Sequence, residues 1–216
     1  MRNHFDEQLA LLHKEMIEMG ALCEESLNMT VTALRLGDVE LAAQVKPFAV
    51  GIDQKERDIE ARCLRLLLQQ QPVAKDLRQI SAALKMITDM ERIGDQAEDI
   101  AEIIGYLGGY SAEEFPLIET MAQAAIKMVT DSVDAYVNKD VELAKAVLES
   151  DDFVDDCLIQ VRQILIEVIR KHADMSERAL DLLQIAKYFE RIGDHATNIA
   201  EWVVFSITGV HKYAND

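Results

Sequence analysis

The chain has 216 residues, half of them hydrophobic and only 6% aromatic, with nine glycines and three prolines. Few chain breakers and abundant helix-forming residues favour an all-α fold over one with many short strands. The formal net charge of −17 argues against direct binding to nucleic acid or anionic lipid, and it favours cations or basic protein partners.

The amino terminus and the cysteines indicate where the protein works. Residues 1–7 contain no apolar signal-peptide core, and no apolar run is long enough to span a bilayer. The three cysteines, Cys23, Cys63 and Cys157, are scattered and fit neither a disulfide framework nor a zinc-binding spacing. We therefore expect a soluble cytoplasmic protein with reduced thiols.

Chain breakers divide the first half of the sequence into three predicted helices. The first covers about residues 6–36 and ends at Gly37, a residue type common just after a helix. The second covers about residues 39–69, and Pro47 is expected to kink it or to mark a fresh start. The third covers about residues 73–107 and ends at two consecutive glycines.

The second half repeats this set of helices. Asp38 and Asp140 each precede Val-Glu-Leu-Ala and are predicted N-caps, because an aspartate oxygen can accept a bond from a free N–H at a helix start. Ser111, with a glutamate three residues later, predicts a capping box that opens the fourth helix. Asp174 begins a looser version that opens the sixth. The two aspartates are 140 − 38 = 102 residues apart, whereas the motif described below repeats after 99 residues. The two copies therefore differ in length by about three residues, which we expect near 69–72 in the first copy.

These signals predict an all-α fold of two pseudo-symmetric three-helix bundles that arose from an internal tandem repeat. We expect residues 1–109 to form the first bundle and residues 110–208 the second, joined near residues 108–116. Residues 209–216 are predicted to be a frayed polar tail.

The strongest repeat lies in the third and sixth predicted helices. The sequence Glu-Arg-Ile-Gly-Asp-Gln-Ala-Glu-Asp-Ile-Ala-Glu at 91–102 recurs at 190–201, with nine of twelve positions identical. On a helix, positions i, i+4, i+7 and i+11 form one stripe beside the apolar face. The first stripe consists of Glu91, Asp95, Glu98 and Glu102 with Asp99 beside it, and the second of Glu190, Asp194, Thr197 and Glu201 with Asn198 beside it.

Two interpretations of the acidic stripes compete. One is a solvated acidic face, partly offset by Arg92 and Arg191. The other is a metal site, which we favour, because like charges one turn apart destabilise a helix by about 0.2–0.5 kcal/mol per pair and a bound cation would compensate for this. Hard carboxylate oxygens indicate Mg, Mn, Ca or Fe rather than a thiolate-bound zinc.

One helix cannot surround an ion, so neighbouring helices are expected to supply further ligands. In the second copy the fifth helix offers an acidic patch of Asp151, Asp152, Asp155 and Asp156, of which Asp151 and Asp155 are the candidate ligands. Asp53 stands opposite Asp155 in the first copy, at 155 − 53 = 102. Ala49 stands opposite Asp151, so the first copy lacks that acid. We therefore expect the two sites to differ in affinity.

Other chemical signatures are weaker. His195 replaces Gln96 within the repeat, and we interpret it as a surface or hydrogen-bonded histidine in preference to a metal neighbour. The sequence contains no P-loop, no dinucleotide fingerprint, no HExxH, and none of the Glu-x-x-His pairs of ferritin-like di-iron sites. No nucleophile with a nearby base can be identified, so an enzyme is not supported.

The duplicated motif resembles the PhoU family, regulators of bacterial phosphate uptake. Phe-Asp-Glu-Gln-Leu at residues 5–9 and the two Asp-Val-Glu-Leu-Ala helix starts extend the resemblance over nearly the whole chain. It implies metal-binding Glu/Asp-x-x-x-Asp motifs that hold multinuclear iron or zinc clusters in some members, so the expected ion is Fe, Mn, Mg or Zn. In this sequence the motif residues are Glu91, Asp95 and Asp99, and Glu190 and Asp194, with Asn198 weakening the second motif.

The resemblance also implies a function. It predicts a non-enzymatic negative regulator of phosphate uptake and of the phosphate-starvation response. Its partners would be the ATPase subunit of the phosphate ABC transporter and the sensor histidine kinase of a two-component system. A homodimer that reaches the membrane only through these partners is expected. The alternatives are a metal-sensing or metal-handling protein and, less favoured, a carboxylate-bridged metal enzyme.

Overall fold

The computed structural model describes residues 2–69 and 73–210 of the chain, and these residues form seven α-helices and one short 3₁₀ helix, with no strand among them. Within these residues, no helix is both long and apolar enough to cross a membrane. The 3₁₀ helix is Ala173–Met175, and the α-helices are α1 (Arg2–Leu36), α2 (Val39–Ala43), α3 (Lys46–Gln69), α4 (Ala74–Tyr106), α5 (Pro116–Asn138), α6 (Val141–Lys171) and α7 (Ser176–Thr208).

The helices pack as two bundles. Helices α1, α3 and α4 form the first, with α2 against α1 and α4, and α5, α6 and α7 form the second. Helix α4 also packs along α7, and α1 packs against α5, so both bundles share one continuous apolar core. The predicted all-α fold of two pseudo-symmetric three-helix bundles is confirmed. The predicted limits at 1–109, 110–208 and 209–216 stay a prediction.

The apolar spacing explains why α4 lies at the centre of this core. Ala83, Met86, Met90, Ile93 and Ala97 follow one another at steps of three or four residues, and each is fully buried. Such spacing places all five side chains on one helical face, and their burial is what stabilises a helix of this length in the folded protein. The acidic stripe of residues 91–102 borders this face.

Two helix starts carry the predicted aspartate caps. Asp38 Oδ1 accepts a hydrogen bond from the Leu41 N–H at 2.9 Å, and Asp140 Oδ1 accepts one from the Leu143 N–H at 3.0 Å. Pro47 lies in the first turn of α3, after the break between α2 and α3, so the predicted fresh start is confirmed. In the second copy no proline interrupts α6, which runs without a break from its cap.

We expect replacement of either capping aspartate by alanine to lower the free energy of unfolding by about 1 kcal/mol, because the helix loses the acceptor for one free N–H. Asp38→Asn and Asp140→Asn keep a side-chain oxygen and serve as matched controls with a smaller loss. Urea unfolding followed by circular dichroism measures both. Alanine and asparagine variants of equal stability would contradict the capping role.

The predicted serine capping box is wrong. Ser111 Oγ donates to the Arg35 carbonyl at 2.6 Å and accepts from the Glu113 N–H at 3.2 Å, so it ties the linker to the end of α1. Helix α5 instead begins at Pro116, whose fixed φ and missing N–H suit a first helical position. The sixth predicted helix begins where expected, but Asp174 lies in the 3₁₀ helix and does not cap it.

The linker between the bundles passes close to the end of α1. Gly37 has φ +66°, and a Cβ at this position would lie 2.5 Å from the carbonyl oxygen of Gly109. The matching residue in the second copy is Lys139, which adopts the same left-handed conformation with φ 55°. The three extra residues expected near 69–72 fall largely outside the described residues, as do residues 211–216 of the expected tail.

Candidate metal centre

Three carboxylates from two helices meet in the first bundle. Asp53 on α3 and Glu91 and Asp95 on α4 each offer one carboxylate oxygen, and these oxygens all lie within 4.8 Å of one another. Metal–oxygen distances of about 2.0–2.6 Å allow ligand oxygens to be separated by up to about 5 Å around one ion. The structure therefore brings together three of the predicted ligands, which we call the first acid cluster.

A close contact between helices brings Asp53 to this position. Gly94 lies between Glu91 and Asp95 on α4, and a Cβ there would lie 2.8 Å from Cδ1 of Ile52 on α3. Ile52 is fully buried. The absence of a side chain at Gly94 lets α3 approach α4, and this approach sets Asp53, the next residue along, opposite the two acids of α4.

The first acid cluster is electrostatically unfavourable without a cation. Burial raises the pKa of Glu91, and the negative charges of Asp95 and Asp53 raise it further. Burial likewise raises the pKa of Asp95, followed by the charges of Asp53 and Asp99. Arg92 acts in the opposite direction on both groups but does not reverse the shifts. A bound metal ion would supply the missing positive charge.

The remaining acids of the first stripe have partners within the protein. Lys46 Nζ lies 2.9 Å from a carboxylate oxygen of Glu98, and this hydrogen bond raises the pKa of Lys46. Glu102 accepts a hydrogen bond from the Tyr106 hydroxyl at 2.7 Å. Asp99 acts on the first acid cluster through its negative charge, which raises the pKa of Asp95. Metal binding by Glu98, Asp99 and Glu102 stays a prediction.

The second bundle holds a looser group, the second acid cluster, formed by Asp151 and Asp155 on α6 and Glu190 and Asp194 on α7. Burial raises the pKa of Asp151, and the charges of Asp155 and Asp194 raise it further. Burial also raises the pKa of Glu190, and the charge of Asp194 raises it further. The pKa of Asp194 itself is raised by burial and then by the charge of Asp155. Thr197 donates to Asp151 Oδ1 at 3.3 Å. Within the described residues, only the first cluster brings three carboxylates within 4.8 Å.

Two residues of the second motif connect the bundles. His195 Nδ1 lies 2.8 Å from Asp89 Oδ1, and Asn198 Nδ2 donates to the same oxygen at 3.3 Å. The preferred interpretation of His195 as a hydrogen-bonded histidine is confirmed. Asp89 was not predicted, and the repeat held no signal for it, because the matching residue is Tyr188. Asn198 and Glu201 both line a groove between α4 and α7.

The raised pKa values predict that the metal-free protein becomes more stable as the pH falls. Between the ordinary carboxyl pKa values, about 4, and the raised ones, the folded chain binds more protons than the unfolded chain. The gain begins as the pH falls through the raised pKa values and is complete below the ordinary ones. Urea unfolding in chelator across this range measures it.

The control for this pH dependence is the triple variant Asp53→Asn, Glu91→Gln, Asp95→Asn, whose stability should rise less as the pH falls. Lys55 lowers the pKa of Glu18, so Glu18 makes the folded protein less stable as the pH falls. This opposite effect is the same in the unmodified protein and in the triple variant. The difference between the two curves therefore isolates the first acid cluster. Coinciding curves would contradict the repulsion inferred for it.

Comparison with known proteins shows a full-length relationship. The profile of the PhoU domain matches residues 16–104 and 118–203. The phosphate-specific transport system accessory protein PhoU homolog of Clostridium acetobutylicum is 34% identical over 100% of this chain and 99% of its own length. PhoU homolog 1 of Thermotoga maritima is 35% identical, over 95% of this chain and 90% of its own.

Solved structures agree with this relationship. PhoU from Pseudomonas aeruginosa superimposes with a TM-score of 0.91 at 34% identity, and the match covers 95% of this chain and 100% of that one. The phosphate transport system regulatory protein PhoU from Streptococcus pneumoniae superimposes with a TM-score of 0.88 at 26% identity, over 96% and 98% of the two chains.

Proposed function

Because the chain belongs to the PhoU family, we propose that it is an accessory protein of a phosphate-specific transport system and a negative regulator of phosphate uptake and of the phosphate-starvation response. The nearly end-to-end match with accessory proteins of Clostridium acetobutylicum and Thermotoga maritima supports this role. The Streptococcus pneumoniae relative, named as a regulatory protein, supports the regulatory part.

In this proposal the protein is a non-enzymatic adaptor that works in the cytoplasm as a homodimer. Its partners are the ATPase subunit of the phosphate ABC transporter and a sensor histidine kinase, through which it reaches the membrane. The net charge of −17 supports docking on basic partner surfaces, because complementary charge speeds encounter and excludes wrong partners.

The metal-binding part of the proposal depends on the meeting of Asp53, Glu91 and Asp95. Three carboxylates held together by folding, two of them with raised pKa values, form a site suited to Fe, Mn, Mg or Zn. The second acid cluster offers a further site of different affinity. Bound ions would neutralise both clusters and so favour assembly with the partners.

The first experiment measures the metal content of protein purified without chelator. We expect two or more ions per chain, fewer in the triple variant of the first cluster, and fewer still when Asp151→Asn, Glu190→Gln and Asp194→Asn are added. Glu25→Gln, Glu149→Gln and Asp174→Asn is the matched control, because it removes the same charge from exposed positions. Full metal content in every variant would refute the assigned sites.

The second experiment measures binding to the purified ATPase subunit and to the kinase domain, with metal and with chelator. The adaptor proposal predicts binding to both, tighter with metal. Equal affinity in chelator would end the idea that metal controls docking, and no binding under either condition would end the adaptor role. Tight binding of one metal with a conformational response, without partner binding, would instead favour a metal sensor.

A further inference from the structure

The duplicated motif has a second functional face. Glu91 and Asp95 point toward α3, but Arg92 and Gln96, each one residue further along, lie about 100° around the helix on the side that meets α7. Arg191 and His195 occupy the matching positions on α7. The two copies thus meet at a single place between the bundles, which shares only Asp194 with the acid clusters.

These residues line one groove between α4 and α7 with a volume of about 620 Å³. This volume lies in the range of small-molecule sites, about 300–1,000 Å³. We call it the arginine groove. Its lining includes both arginines, Gln96, His195, Thr197 and Asn198, together with the carboxylates of Asp194 and Glu201. The groove therefore offers hydrogen-bond donors and acceptors side by side.

Both arginines are available to a ligand. Arg92 and Arg191 are exposed, and neither guanidinium forms a salt bridge within the described part of the chain. Arg191 lies over the ring of Tyr188, with its Cζ 5.8 Å from the ring centroid. Each guanidinium group acts on neighbouring carboxylates through its charge without a direct ion pair, so two such groups lining one groove can hold an anionic ligand.

The acceptors restrict which anion fits. The amide oxygen of Gln96 is buried and has no hydrogen-bond partner among the described residues. Because solvent does not reach this oxygen, the acceptor that the groove presents to a ligand is the exposed Asp194 carboxylate and not Gln96. The Asp194 carboxylate, which also lines the groove, repels an anion unless that anion presents a proton. Sulfate carries no proton at neutral pH, whereas hydrogen phosphate does.

We propose that the arginine groove binds a tetrahedral oxyanion that carries a proton, either free hydrogen phosphate or the phosphate group of a monoester. The two guanidinium groups, one from each bundle, hold its charged oxygens, and the Asp194 carboxylate accepts a hydrogen bond from its proton. The bound ion would fix α4 against α7. This inference goes beyond the proposed function and does not depend on it, because the groove needs no metal.

Isothermal titration of the full chain in chelator tests the proposal, with inorganic phosphate, glycerol phosphate and sulfate compared at constant ionic strength. The groove variant is Arg92→Gln with Arg191→Gln. The control, Arg65→Gln with Arg162→Gln, removes the same charge from exposed positions outside the groove. All four arginines are exposed, so both variants should fold, and circular dichroism checks this.

We expect saturable binding of at least one phosphate compound to the unmodified and control proteins, at least tenfold weaker binding to the groove variant, and weaker binding of sulfate. The groove is a site for the free ion if inorganic phosphate binds more tightly, and a site for a phosphate monoester if glycerol phosphate binds more tightly. The absence of saturable binding, equal affinity in groove and control variants, or sulfate binding as tightly as phosphate would each overturn the proposal. Because metal is absent throughout, none of these outcomes depends on metal binding at the acid clusters.

Discussion

Manganese added to the chelated protein at one hundred times its dissociation constant is expected to raise the free energy of unfolding by about 2.7 kcal/mol for each acid cluster that it fills. The reason is that folding alone brings Asp53, on α3, together with Glu91 and Asp95, on α4, so the ion binds the folded state in preference to the unfolded chain. Urea unfolding followed by circular dichroism, with and without the ion, measures the gain.

The triple variant Asp53→Asn, Glu91→Gln, Asp95→Asn should reverse the order of stability. It loses the metal-dependent gain from the first cluster, yet without metal it should be more stable than the unmodified protein, since neutral groups relieve the repulsion that raises the pKa of Glu91 and Asp95. The control variant at Glu25, Glu149 and Asp174 should retain the full gain. A metal-free triple variant that is less stable than the unmodified protein would contradict the electrostatic argument.

Gly94→Ala is expected to be about 1–3 kcal/mol less stable than Gly193→Ala. Both substitutions gain the same helix propensity, so their difference reports packing alone. At Gly94 the new Cβ would lie 2.8 Å from Cδ1 and 3.3 Å from Cγ2 of Ile52, which is buried and, being β-branched, restricted in its rotamers. At Gly193 the nearest side-chain atom lies at 3.5 Å, an ordinary contact.

A double-mutant cycle identifies the clash. Ile52→Val removes Cδ1, so it should recover part of the loss in Gly94→Ala while lowering the stability of the unmodified protein. Metal affinity should fall at the first acid cluster in Gly94→Ala, because a displaced α3 carries Asp53 away from Glu91. Urea unfolding in chelator measures the cycle, and equal stabilities of the two alanine variants would show that α3 and α4 have more room than the structure indicates.

The sequence predicted the parts of the fold that depend on local chemistry. Asp38 and Asp140 cap helices because a cap requires only a side chain beside its own backbone. The serine capping box failed because Ser111 bonds to Arg35, 76 residues away, and such a contact has no local signal. Pro116 then determines where α5 begins.

The candidate site divides in the same way. The sequence predicts Asp53 as a further ligand beside Glu91 and Asp95, because the offset between the two copies relates it to Asp155, an acid of the second copy. The Lys46–Glu98 ion pair and the Asp89–His195 bond were not predicted, since each joins helices whose relative rotation is set by the packed core. The helical period alone assigned all four acids of the first stripe to one role, whereas the packing pairs Glu98 and Glu102 with other groups.

The contrast between Gly37 and Lys139 limits how far the two halves can be interchanged by design. Consensus sequences are a proven route to stable repeat proteins, and averaging the halves of this chain would be an obvious scheme. A lysine transferred to position 37 would place its Cβ 2.5 Å from the Gly109 oxygen of the linker. An idealised repeat therefore needs glycine at the first of these positions or a rebuilt linker.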